Sequence, residues 1–289
     1  MVIELMTFRT SFTNLILAGS PWLMMAVALH AYADQMSEYT FSSNIGVATD
    51  YISRGLRLNW NRSALQGGAE VVNRSGGYAG ANFSQLTDQY YANGSLELDF
   101  FVGLRQPFDE TLSYDIGLGA YFYPGANYRD VVPQGTYPDK RYDTVEAIFG
   151  ITYRWLNLKY SRCLTDYYGY DDRTVPFSVW NSGVSGGVEA GKRTKGSGYY
   201  EANANFEIGH EFSVGLHAGR QLVTHISKLS YSDYRFSGTQ SMPQGWSVTA
   251  ALSSTRGAEI YNDFVSVTGN GQTLDVGGTY WLFSANKAF

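Results

Sequence analysis

From residue 41 onward, apolar side chains recur at every second position, with small or polar ones between them. Leu96, Leu98, Phe100, Val102 and Leu104 interleave with Glu97, Asp99, Phe101, Gly103 and Arg105, and Leu112, Tyr114, Ile116 and Leu118 with Ser113, Asp115, Gly117 and Gly119. The period returns in Val145, Ala147, Phe149 and Ile151 around Glu146 and Gly150, in Tyr200, Ala202, Ala204 and Phe206 around Glu201, Asn203 and Asn205, and in Phe212, Val214, Leu216 and Ala218 around Ser213, Gly215 and His217. Successive side chains of a strand point to opposite faces, so each segment predicts a β-strand with one face suited to hydrocarbon and the other to water. Strands are expected near 41–54, 64–73, 77–85, 94–106, 111–123, 142–153, 156–164, 197–208, 211–223, 245–254 and 278–289. An odd tally would put the two chain ends on opposite sides of a barrel, and 259–268 (EIYNDFVSVT) is the best candidate for the missing strand.

The connections alternate as well. Short links at 73–77, 106–111, 154–155 and 209–211 take turns with long polar ones at 124–141, 165–197 and 224–244. Short turns at one end and long loops at the other belong to outer-membrane barrels. The expected fold is therefore all-β, a transmembrane antiparallel up-and-down barrel of about 12 strands, within about 10 to 14. A soluble barrel or sandwich also alternates, but its inner face would be aliphatic, whereas here the non-aliphatic face carries Gly, Ser, Asn and acids. An inside-out pattern needs lipid outside. Tyr39, Tyr51, Tyr123, Trp155, Trp246 and Trp281, near segment ends, suit interfacial girdles.

Before the strands, the apolar run 14–29 follows Arg9 and ends in Ala31-Tyr32-Ala33, the small-x-small pattern that signal peptidase reads. We expect residues 1–33 to be a cleaved secretory leader, with Ala33 the last residue removed, and 34–289 to be the barrel. Composition agrees with export and a membrane setting. Only 16% of the 289 residues are charged, against about 25% in ordinary soluble domains, while 16% are aromatic. The net charge of −5 comes without a basic stripe, which argues against nucleic-acid binding.

Several strings resemble the TorF family of proteobacterial outer-membrane porins. They are Ser43-Asn44-Ile45-Gly46, Asp50-Tyr51-Ile52-Ser53-Arg54-Gly55, Leu65-Gln66-Gly67-Gly68, Gly77-Tyr78-Ala79-Gly80, Glu97-Leu98-Asp99, Tyr121-Phe122-Tyr123-Pro124-Gly125 and Leu158-Lys159-Tyr160-Ser161. The resemblance spans most of 41–161 and fades afterwards. It implies an outer-membrane barrel of porin type in the bacterial cell outer membrane, and supplies no substrate or site residues. The terminal Phe289, with Phe283 and Trp281 at alternate positions before it, resembles the signal read by the barrel-assembly machinery, although Lys287 departs from the usual apolar residue.

If apolar positions face lipid, parity places Asp50, Glu70, Glu97, Asp99, Asp115, Glu146, Glu201 and Glu207 in the lumen, with Arg54, Arg74, Arg105, Arg154 and Lys159 on the same face. A mildly acidic wall biases a pore toward cations, unless these charges pair across strands. The expected work is passive passage of small hydrophilic solutes or ions, with slight cation preference. Arg162 and Arg220 fall on the lipid-facing parity near the outer rim, where lipopolysaccharide phosphates could pair with them.

A lipid hydrolase or acyltransferase would need a His base beside a Ser nucleophile. His217 on the polar face and His225 at a strand end are the usable bases, His210 lying in a turn, but no G-x-S-x-G or H-E-x-x-H string accompanies them. No catalytic, metal or cofactor residues are expected. The remaining alternative is a plugged structural or adhesive surface barrel. Cys163 is expected to be a free, inert thiol, and the string 166–172 (DYYGYDD) a solvated loop, the other option being that it folds inward and narrows the lumen.

Overall fold

A computed structural model describes residues 38–175, 191–209, 211–257 and 259–289. The expected leader and its end at Ala33 lie outside the described residues, as does His210. Twelve strands close into one barrel: β1 (Tyr39–Ala48), β2 (Ala64–Asn73), β3 (Gly77–Gln85), β4 (Leu96–Pro107), β5 (Leu112–Phe122), β6 (Thr144–Tyr153), β7 (Leu156–Cys163), β8 (Gly198–Glu207), β9 (Phe212–Leu222), β10 (Tyr231–Met242), β11 (Trp246–Arg256) and β12 (Thr279–Ala288). Each pairs antiparallel with the next, and β12 returns to β1 with Asn44 opposite Ala288 and Ala48 opposite Ser284. Closure removes every free sheet edge, which a structure spanning hydrocarbon must do. Among the described residues no helix is long and apolar enough to cross a membrane; the crossing is made by strands.

The outward face is apolar and exposed. Phe41, Val47, Phe100, Val102, Ile116, Phe149, Ile151, Leu158, Leu216, Phe236 and Phe283 all stand open on it, while the alternate positions Glu97, Asp99, Glu146, Glu201, Asn203 and His217 are buried inside. A soluble barrel has the reverse arrangement. This is an outer-membrane-type barrel, with hydrocarbon as its outer solvent. Tyr39, Trp155, Trp246 and Trp281 are on the exposed surface, as girdle residues are. Tyr51 and Tyr123 are not: both are buried, packed in a cluster under the long loops.

The links obey the expected asymmetry. Tight turns at one end join β2 to β3, β4 to β5, β6 to β7, β8 to β9 and β10 to β11. The Asn73 side chain accepts from Ser75 N and Gly77 N, and Asp109 Oδ1 accepts from Thr111 N and Leu112 N, so short polar side chains replace ladder partners where the chain reverses.

The expected strand at 259–268 is corrected. That segment holds a single turn, Glu259–Tyr261, and a two-residue strand, Phe264–Val265, paired with Thr273–Leu274, all within the long β11–β12 link. The twelfth strand is β10, in what reads as a loop, 224–244. Its outward residues run Ser232, Tyr234, Phe236, Gly238, Gln240, so the apolar stripe is only two residues long. The Phe212 ring lies over Gly238 and supplies the missing hydrocarbon from the neighbouring strand. The expected first strand, 41–54, is also too long, because β1 ends at Ala48.

Candidate functional site: the barrel interior

Beyond β1 the chain turns into the barrel. Ile52–Ser53 and Leu56–Arg57 pair as a tiny hairpin around Arg54 (φ 47°) and Gly55 (φ 80°), both in the left-handed region that a tight two-residue turn requires. A side chain at Gly55 would sit 2.5 Å from Asp233 Cβ on β10, so only glycine lets the tip come this close to the wall. The tip is tied on every side. The Arg54 guanidinium is bidentate to Glu146 of β6, at 2.9 and 2.6 Å, and donates to Tyr121 of β5 (3.2 Å) and Gln221 of β9 (3.4 Å) while lying over the Tyr199 ring of β8. Thr255 of β11 donates to Gly55 O at 2.7 Å, and Arg235 of β10 donates to Ile52 O at 3.2 Å. At its base Arg57 pairs with Asp50 at 2.6 Å and lies over the Tyr280 ring.

Asp50 and Arg54 are therefore inside the barrel as parity expects, by a different route: they sit on an inserted hairpin, not on a continuing strand. Above the hairpin the long loops pack a cluster of tyrosines. Tyr90, Tyr91, Tyr167, Tyr168, Tyr170, Tyr231 and Tyr261 leave only about 20 Å³ between themselves and Arg54. Tyr91 stacks on Tyr123 and Tyr128 on Tyr142, and Tyr128 donates to Tyr168 O. The string 166–172 is thus folded inward, with Tyr167, Tyr168 and Tyr170 buried. A solvated loop is not what forms, because each phenol has an aromatic neighbour to cover its ring.

The same loops carry an ion cluster. Lys140 bridges Asp166 (2.9 Å) and Asp171 (2.8 Å), Arg193 caps Asp166 and Arg173 caps Asp171. Burial alone would raise the Asp171 carboxyl; hydrogen bonds from Lys140, the Arg173 backbone and the Arg173 guanidinium outweigh it and hold the group down to about 2. Asp166 is lowered likewise, burial opposing and Arg193 and Lys140 prevailing.

Toward the short-turn end the wall is polar and more open. Arg105, half exposed, reaches Asp115 (3.1 Å) and Glu70 (3.8 Å), and Tyr78 donates to Asp115. Lys159 pairs with Glu201. Glu97, buried, accepts from Tyr51 at 2.8 Å, and Asp99 lies on the same face two positions on, fully buried. Among the described residues neither Glu97 nor Asp99 is in an ion pair, which leaves the β4 wall acidic. Glu207 departs from the others: it is the last residue of β8 and is exposed beside the short turn. Arg74 and Arg154 also lie in short turns. Cys163 is buried and free, its thiol 3.6 Å from Glu146.

Three interior residues escape the sequence reading. Asp233 and Arg235 lie on the unrecognised β10, and Arg57 lies on the hairpin. His217 has Asn203 at one ring nitrogen (2.6 Å) and Asp233 and Tyr199 at the other (2.9 and 3.0 Å). Its ring is thus engaged by an amide, a carboxylate and a phenol, with no serine in reach. His225 is at the rim, with Nδ1 2.8 Å from Arg193 O. Among the described residues no three His, Cys, Asp or Glu side chains form a metal-holding group. Outside, Arg162 and Arg220 are exposed on the apolar face, as parity expects.

Comparison with known proteins adds a family. The model of a family described as "Bacterial protein of unknown function (Gcw_chp)" matches residues 32–289. No curated protein matches. Among solved structures, the KdgM porin is similar at 6% identity and TM-score 0.49, covering 86% of this chain and 99% of that one. The NanC porin is similar at 10% identity and TM-score 0.48, with the same coverages. OccD3 (OpdP) of Pseudomonas aeruginosa is similar at 10% identity and TM-score 0.37, covering 89% of this chain and 66% of that one.

Proposed function

Starting from a chain that belongs to the bacterial Gcw_chp family, of unknown function, we propose that it is an outer-membrane channel for small hydrophilic solutes whose lumen is narrowed by the 52–57 hairpin. One observation carries the reading: the barrel is filled by a separate polar latch, not by interdigitated aliphatic side chains. Buried charges are costly compared with an apolar filling of the same volume. A wall that keeps Glu70, Glu97, Asp99, Lys159, Glu201 and Asp233 facing inward suits water and polar solute. The TorF resemblance of 41–161 points the same way.

The acids of β4 favour cations over anions at the narrowest level. Phe289, hydrogen-bonded to Ser43 at the barrel seam, is the residue we assign to recognition by the barrel-assembly machinery. Lipid hydrolysis is the weaker reading, since His217 is engaged without a serine. A closed surface barrel is favoured by one specific feature, the tyrosine packing under the long loops.

Planar-bilayer recording on protein purified from outer membranes tests these readings together. Stepwise currents are expected, larger when 52–57 is replaced by a short Gly-Ser link, with a reversal potential in a salt gradient that shows cation preference. Anion preference would overturn the selectivity. Silence from folded protein in both forms would overturn the channel and leave the closed barrel.

A further inference from the structure

Polar groups gather outside the barrel where the lipid-facing surface is otherwise hydrocarbon. On the outward face of β7–β10, next to the long loops, Arg162 lies one residue before the end of β7 and opposite Gly198. Arg220 lies opposite Tyr200 on one side and Ser232 on the other, and donates to Ser232 Oγ at 3.1 Å. Tyr160 and Tyr200 face each other across β7 and β8, their rings stacked 4.5 Å apart. Two guanidiniums, two phenols and a hydroxyl thus share one patch spanning four neighbouring strands. The carboxylates closest in the fold are already taken, Glu201 by Lys159 inside the wall and Asp166 by Lys140 and Arg193 above it. Among the described residues no ion pair reaches Arg162 or Arg220.

Toward the middle of the membrane the same face is concave. Ala202 and Ala218 stand opposite each other on β8 and β9, and their small side chains leave a groove of roughly 1180 Å³ walled by Phe149, Ile151, Leu158 and Tyr234. Arg220, Ser232 and Tyr160 form its loop-side end. An apolar trough that opens onto two cations matches a molecule with acyl chains and a phosphate at one end. A guanidinium binds a phosphate by two parallel hydrogen bonds, and a phenol can add another. Because long loops mark the outer side of such barrels, the leaflet at this level is the one built of phosphorylated glycolipid.

We propose that this face is a specific site for a lipid A-type phosphoglycolipid, its phosphate held by Arg162 and Arg220 with Tyr160 and Tyr200, and an acyl chain lying over Ala202 and Ala218. The site is separate from the barrel interior and does not rest on the channel reading. It is tested with protein purified from outer membranes, delipidated, and placed in phosphatidylcholine vesicles alone or with lipid A, dephosphorylated lipid A or phosphatidylglycerol. Lipid A is expected to raise the thermal unfolding midpoint, and the dephosphorylated form to leave it unchanged. Arg162→Ser/Arg220→Ser should remove the rise and weaken lipid A retention in native mass spectrometry about tenfold, the size expected for one lost charge-assisted hydrogen bond. Arg162→Lys/Arg220→Lys should restore part of it, and Ala218→Phe, which fills the groove and leaves both cations, should weaken retention too. Full retention in the Ser variant, or an equal rise with dephosphorylated lipid A, would overturn the site. An equal, arginine-dependent rise with phosphatidylglycerol would overturn the glycolipid assignment. If the Ser variant does not fold, the Lys and Phe variants decide by the same readout.

Discussion

Arg54 joins the inserted hairpin to three different strands through its own side chain, and its carboxylate partner Glu146 is almost completely buried. Removing one member of such a pair leaves the other charge without compensation. Arg54→Ala is expected to cost about 3–5 kcal/mol in denaturant unfolding of the folded barrel, and Arg54→Ala/Glu146→Ala markedly less than the two single changes added together. At the neighbouring position Gly55→Ala should push the tip off β10, because the new methyl meets Asp233. The loop acids make a pH prediction. Asp171 titrates at about 2 in the folded protein, below about 3.9 when unfolded. Its contribution is therefore complete above about pH 4 and disappears as pH falls toward 2. Pepsin cleavage around 167–170 should accelerate across that window, and Asp171→Asn should flatten the profile. From sequence, parity alone finds Glu70, Glu97, Glu146 and Glu201, because a strand's alternation fixes the face of each residue. It cannot find that Arg54 grips Glu146, a partner 92 positions away.

Strands with long apolar stripes are legible as elements, β4 and β6 most plainly. The link 224–244 is not, since β10 carries Gly238 and Gln240 on its lipid face and borrows the Phe212 ring from β9 to cover one of them. Conversely 259–268 alternates well enough to imitate a strand, yet its Tyr261 and Phe264 are spent on the tyrosine cluster under the loops. Alternation reports that one face is apolar without saying whether lipid or protein covers it. The exchange has a direct check. Phe236→Arg, at the middle of β10, should destabilise the membrane-embedded barrel by about 2–4 kcal/mol, the cost of a cation on the lipid face near the midplane. Val265→Arg, on an exposed loop position, should change refolding into vesicles very little. The opposite ranking would restore 259–268 as the spanning segment.

For the molecule as a whole, the wall and its contents are separate structures. The ladder closes through β12 and β1 without help from the hairpin, so the Gly-Ser replacement of 52–57 should still resist detergent and shift its gel mobility on heating as the intact protein does. Its stability should fall toward that of Arg54→Ala. Loss of heat-modifiable folding in the replacement would instead make the insert part of the wall's own support. Closure, strand parity and the inside-out surface are legible in sequence because they repeat along the chain. The filling of the lumen is not, because it depends on single contacts between residues far apart.

Those separations also impose an order of events on assembly. The hairpin follows the first strand, but its anchors at Tyr121, Glu146, Gln221, Arg235 and Thr255 lie on strands made progressively later. Contacts of such long chain separation come at a high cost in loop closure and form late. An unfinished sheet lacking the C-terminal strands must carry the 52–57 tip unanchored, its cation without most of its partners. Engagement of Arg54 thus marks completion of the cylinder, and a probe on this short insert would time the final step of biogenesis.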